Sequence, residues 1–91
     1  MKLVWAAAAQ ADLHALADYY RDIDVQLSVR MRQRVERTPA LLTRFPQMGA
    51  PLGTSVFRKL RVQKTPFVLY YQIEPGRIVV LRVIHAARDI L

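Results

Sequence analysis

The sequence predicts an α+β fold: a short N-terminal strand, then a two-helix hairpin packed on a small antiparallel sheet. Three features predict it. Apolar residues recur with a helical period from Ala9 to Leu42. The period changes to two after Val56. Residues 45–53, with two prolines and two glycines, separate the two regimes. A chain of 91 residues makes one domain, residues 1–91, with a single small core.

"KLVW" reads as the first strand. Ala9, Leu13, Leu16, Ala17 and Tyr20 then form one apolar stripe of a first helix, with Asp12, His14 and Asp18 largely outside it. "RDIDVQ" ends that pattern, and Asp24 or Asp22 is placed to cap a second helix. Its stripe is Leu27, Met31, Val35, Thr38 and Leu42. Pro39 predicts a break at Thr38–Pro39, with Thr38 capping a new turn. Arg30, Arg34, Arg37 and Arg44 line the other face of this helix. "FPQMGAPLG" reads as a loop and lacks a Gly-rich phosphate fingerprint.

"VFRKLRVQK", "PFVLYYQI" and "RIVVLRVIH" read as three strands, the last two joined by the turn "EPGR". Short connections predict antiparallel neighbours. Alternation assigns Phe67, Leu69, Tyr71, Ile73, Val79, Leu81 and Val83 to the helix side. It assigns Lys59, Arg61, Tyr70, Gln72 and Arg82 to an opposite, basic and partly aromatic face.

The hydrophobic fraction of 53% and mean hydropathy of +0.08 exclude a disordered chain. No apolar run approaches the roughly 18 residues of a membrane span. With no cysteines and no His cluster, neither disulfides nor a metal site nor a cofactor is expected. No targeting segment is read at the N-terminus, and the cytoplasm is the expected location. Fourteen Lys and Arg against seven Asp and Glu leave a net charge of +7 and a pI near 10.6. That balance predicts an acidic partner, nucleic acid or protein. Eleven of the fourteen are arginines, which suit bidentate contacts to phosphate or carboxylate.

In order and spacing, "ADLHALADYY", "RFPQMGAP", "FRKLRV", "TPFVLYYQI" and "VLRVIHAARD" resemble the RelE/ParE superfamily of toxins from bacterial type II toxin–antitoxin modules. The resemblance spans nearly the whole chain. It implies the α+β fold already read and a cognate protein antitoxin, through which alone operator DNA is contacted. It also implies one of two targets. RelE-like members cleave messenger RNA on the ribosome; ParE-like members inhibit DNA gyrase without known nuclease chemistry. Two departures favour the ParE-like branch. RelE-like ribonucleases carry an arginine where this chain has Val68, and many have a tyrosine after the last arginine, where Arg88 is followed by Asp89, Ile90 and Leu91. The resemblance therefore implies a gyrase inhibitor rather than an enzyme. The alternatives are an endoribonuclease, and an antitoxin-binding protein without toxic activity.

The ending "IHAARD" holds the residues closest to a catalytic set. RNA cleavage through a 2′-hydroxyl needs a base, an acid and a charge stabiliser. His85 and Arg88, beside Arg58 and Arg61, are the candidates. In the competing reading His85 packs at the end of its strand, and this is preferred, because an isolated His–Arg pair does not define a site. Lys59, Arg61, Arg82 and Arg88 are the candidate binding surface for an acidic partner.

Overall fold

The first strand, β1 (Lys2–Trp5), makes the sheet mixed rather than purely antiparallel. In the computed structural model, which describes residues 1–88 and only the backbone of Arg88, β1 pairs parallel with β5 (Arg77–His85), Lys2 opposite Arg77 and Trp5 opposite Val80. A parallel pair needs a long crossover, and the intervening helices supply it. The sheet order is β1-β5-β4-β3-β2, with β3 (Phe57–Arg61) and β4 (Phe67–Glu74) antiparallel to their neighbours. The two-residue strand β2 (Ala50–Pro51) lies within the expected loop and pairs with β3 at Lys59 and Arg58.

Helix α1 (Ala7–Arg21) starts without a side-chain cap. Its entry is tied to the sheet instead: the Ala6 N–H donates to the Val80 carbonyl at 2.9 Å, and the Gln10 amide donates to the Trp5 carbonyl at 3.0 Å. Helix α2 (Val25–Leu42) is capped by Asp24, which accepts from the N–H groups of Gln26 at 2.8 Å and Leu27 at 3.4 Å. The expected break at Thr38–Pro39 does not occur. Pro39 lies inside α2 and is fully buried, and Thr38 donates its hydroxyl back to the Arg34 carbonyl at 3.1 Å rather than capping a new turn. The missing N–H of Pro39 costs the helix one bond, and packing of its ring in the core offsets that loss.

The core lies between the helices and one face of the sheet. Ala9, Leu13, Leu16, Val35 and Leu42 meet Val62, Phe67, Leu69, Tyr71, Ile78, Val80 and Val83. The expected parity holds along β4 and fails along β5. A bulge sets Tyr70 opposite Arg82 but Tyr71 opposite Val80, so Leu81 is the extra residue. Ile78 and Val80 therefore face the helices in place of Val79 and Leu81, and after the bulge Val83 returns to the core. A bulge of this kind inverts the side-chain parity of every residue before it.

Candidate functional site

Arg58 has a structural task. It pairs with Tyr71 across the β3–β4 ladder, and its Nη1 donates to the carbonyls of Gly49 at 2.7 Å and Gln47 at 3.3 Å. The Tyr71 hydroxyl donates to the Pro46 carbonyl at 2.7 Å and accepts from the Gly49 N–H at 2.9 Å. Together these two side chains clamp residues 46–49 onto the sheet. Burial raises the Tyr71 pKa above 10.0, against smaller lowering effects of the Gly49 N–H and the Arg58 charge.

His85 stands opposite Phe67, four residues along β4 from Tyr71. Arg58 is thus about 13 Å away along the strands and about 10 Å across two strand spacings, near the other end of the sheet. Arg61 is opposite Val68, next to Phe67, so it faces away from His85. The candidate set of His85 with Arg58 and Arg61 is therefore not assembled. The His85 ring is exposed and packs edge-on against Phe67, with centroids 5.6 Å apart. Its Nδ1 accepts the Ala87 N–H at 3.1 Å. Arg88 ends a short 3-10 turn, Ala86–Arg88, directly after β5; its side chain lies outside the described residues.

The expected basic face also changes. Tyr70 is buried, and the Lys59 ammonium stands 6.0 Å from its ring centroid. Arg61 is exposed at the end of β3. Arg82, opposite Tyr70, is committed to α1: its Nε and Nη2 donate to the two carboxylate oxygens of Asp12 at 2.7 and 3.0 Å. That bidentate bond raises the Arg82 pKa. Arg82 is thus the basic half of an interelement ion pair and not a cation awaiting a partner.

Asp12 does a second thing. Its Oδ2 accepts the Val83 N–H at 2.9 Å. This N–H therefore points away from β4, at an edge that β1 does not reach, since β1 ends opposite Val80. In an antiparallel ladder the Val83 C=O and the His85 N–H point the same way. Among the described residues no strand covers them. A groove of about 860 Å³ runs along this edge, between α1 and β5. Leu16, Tyr19, Tyr20 and Ile23 form one wall, Val83 and His85 the other, Phe67 contributes to the lining, and the Asp12–Arg82 pair closes one end. Tyr19 and Ile23 are 65% and 62% exposed, although both are large and apolar in character. Burial, and then the neighbouring Tyr19, raises the Tyr20 pKa. The groove combines a strand edge that no other described strand covers with apolar walls, which is what an extended or helical peptide segment requires.

Leu16 and Tyr20 belong to the apolar stripe expected of the first helix, whereas Tyr19 and Ile23 were expected in neither the core nor the site. The signal was available: Tyr19, near the end of α1, and Ile23, in the turn that follows it, are four residues apart and both off the core stripe.

Residues 3–90 match the family model described as ParE toxin of type II toxin-antitoxin system, parDE. A curated relative from Caulobacter vibrioides, Toxin RelE2, is 33% identical over 87 residues, covering 96% of this chain and 97% of the relative. Among solved structures, a chromosomal ParDE TA system from P. aeruginosa superposes with a TM-score of 0.83 at 24% identity, covering 93% of this chain and 95% of that one. A YoeB/ParE toxin from Agrobacterium tumefaciens does so with a TM-score of 0.67 at 19% identity, covering 93% and 98%. These two structural likenesses establish the shared fold.

Proposed function

The chain belongs to the ParE toxin family of the RelE/ParE superfamily, as the toxin of a type II toxin–antitoxin system, and from that membership we propose that it acts by inhibiting DNA gyrase. The dispersal of the candidate catalytic residues carries this reading. His85 lies at one end of the sheet, Arg58 towards the other, and Arg61 on the opposite face. Val68, at the position where RelE-like ribonucleases carry arginine, is an apolar residue with 5% exposure. Acid–base cleavage of RNA requires its groups within hydrogen-bond reach of one phosphate. An inhibitory binding protein has no such requirement.

Family membership implies a cognate antitoxin. We place its main docking site in the groove between α1 and β5. Apolar antitoxin side chains fill the wall formed by Leu16, Tyr19, Tyr20 and Ile23, and its backbone meets the edge at Val83 and His85. Carboxylates of the antitoxin reach exposed cations such as Arg61.

The test is expression of the toxin alone in a bacterium, with a supercoiling assay on purified gyrase. The expected result is filamentation and an induced DNA-damage response while translation continues, with supercoiling inhibited in vitro. Immediate arrest of protein synthesis with codon-positioned cuts in messenger RNA, and intact supercoiling, would overturn the reading. It would favour the second one, a ribosome-dependent endoribonuclease, which the RelE2 name of the Caulobacter relative supports.

A further inference from the structure

The four cations Arg30, Arg34, Arg37 and Lys64 are brought together by one contact that the sequence does not announce. Arg34 Nη1 donates to the Lys64 carbonyl at 3.0 Å, thirty residues away in the chain, and docks the β3–β4 hairpin against α2. Lys64 thus stands beside the arginine row of the helix. Arg30 and Arg37 are exposed on α2, seven residues and about 10.5 Å apart along its axis.

No carboxylate among the described residues pairs with any of the four. The single acidic residue of α2, Glu36, is held by Arg32 at 2.7 Å. Elsewhere Arg21, Arg77 and Arg82 each have a carboxylate partner. Within α2, the charge without a carboxylate partner therefore lies on this face. Lys64 adds a second, independent sign. Its φ of 62° makes it the only non-glycine residue at positive φ among the described residues. Glycine holds that conformation at lower cost, by about 1 kcal/mol or more. A lysine there keeps a cation at a position where backbone geometry favours losing the side chain.

We propose that Arg30, Arg34, Arg37 and Lys64 form a phosphate-binding patch that grips the backbone of duplex DNA without regard to base sequence. Arginine provides paired donors for phosphate, and the rigid helix keeps the row straight. The flanking side chains, Gln33 and Gln63, are polar and exposed, and the patch itself contains no aromatic residue. Single-strand binding relies on aromatic stacking, so a duplex fits the patch better. A protein partner requires apolar anchors, and the α1–β5 groove supplies them in Tyr19 and Ile23. Preference for DNA over duplex RNA rests on the gyrase reading, since duplex DNA is what that target handles.

The experiment is fluorescence anisotropy of the full chain with a fluorescein-labelled mixed-sequence DNA duplex, titrated across potassium chloride concentrations. The Arg30→Gln, Arg37→Gln double variant is expected to make the negative slope of log affinity against log salt shallower by about 2, and Lys64→Gly by about 1. Lys64→Gly also guards against misfolding, since it relieves backbone strain and should melt no lower than the parent. Wild-type affinity and slope in both variants would overturn the patch. Stronger competition by duplex RNA than by duplex DNA would overturn the choice of DNA. Inhibition of gyrase without patch-dependent DNA binding would sink this inference and leave the gyrase reading standing; patch-dependent binding without inhibition would do the reverse.

Discussion

Tyr71 shows how much one side chain can organise. It is fully buried, and its hydroxyl completes two hydrogen bonds that fix residues 46–49. Tyr71→Phe leaves the Pro46 carbonyl and the Gly49 N–H unpaired and should cost about 1–3 kcal/mol, read from urea unfolding. Gly49 is the complementary position. A Cβ there would stand 2.7 Å from the Tyr71 hydroxyl and 2.9 Å from the Lys59 carbonyl, and the latter is backbone that cannot swing aside. Gly49→Ala is expected to destabilise by about 1–3 kcal/mol in the same assay. The raised Tyr71 pKa has a signed consequence. Below about pH 10 the phenol is protonated in both folded and unfolded chains and contributes no slope. Above it the unfolded chain loses the proton first, so stability falls as pH rises towards the folded value. Thermal melts from pH 8 to 11 should show this decline, and Tyr71→Phe should reduce it, leaving the part due to Tyr20.

At the scale of elements, the seam between α1 and β5 joins stability to function. Asp12 satisfies an edge N–H that would otherwise be bare and anchors Arg82 at the same time. Beyond this staple the strand edge lies beside an apolar wall, the surface proposed above for the antitoxin. Ile23 lies on that wall and is largely exposed, so Ile23→Asp should leave the melting temperature nearly unchanged. It should weaken antitoxin binding roughly tenfold or more by isothermal calorimetry, the effect of losing about 1.4 kcal/mol at an apolar anchor. Undiminished affinity would remove the groove from the antitoxin interface.

For the molecule as a whole, charge is divided between internal work and external attraction. Of the fourteen Lys and Arg side chains, Arg82 is tied to Asp12 and Arg58 to the carbonyls of Gly49 and Gln47, while Arg61 remains exposed. Two members of the expected binding surface, Arg61 and Arg82, should therefore answer differently to charge reversal. Arg61→Glu is expected to slow antitoxin association several-fold and to reduce its salt dependence, with an unchanged melt. Arg82→Glu sets a second carboxylate against Asp12 and is expected to lower stability. Stopped-flow association and thermal unfolding of the two variants distinguish these outcomes.

The element order apart from β2, the helical stripe of α1, a cap at Asp24 or Asp22 and the turn at Gly76 were legible in the chain, because each depends on residues close in sequence whose periodicity or backbone preference acts locally. The family was legible for a related reason: the spacing of core positions is itself a local record. Tertiary structure alone decided the rest. A one-residue bulge at Leu81 leaves no mark in an apolar run, yet it moved Ile78 and Val80 into the core and Val79 out of it. Packing of its ring carried α2 through Pro39 against local preference. Arg82 looked like a surface cation because Asp12, its partner, is seventy residues away. His85, Arg58 and Arg61 looked like a possible cluster because a sequence does not say which end or face of a sheet a side chain occupies; strand pairing set them apart, since register and parity are properties of the assembled sheet.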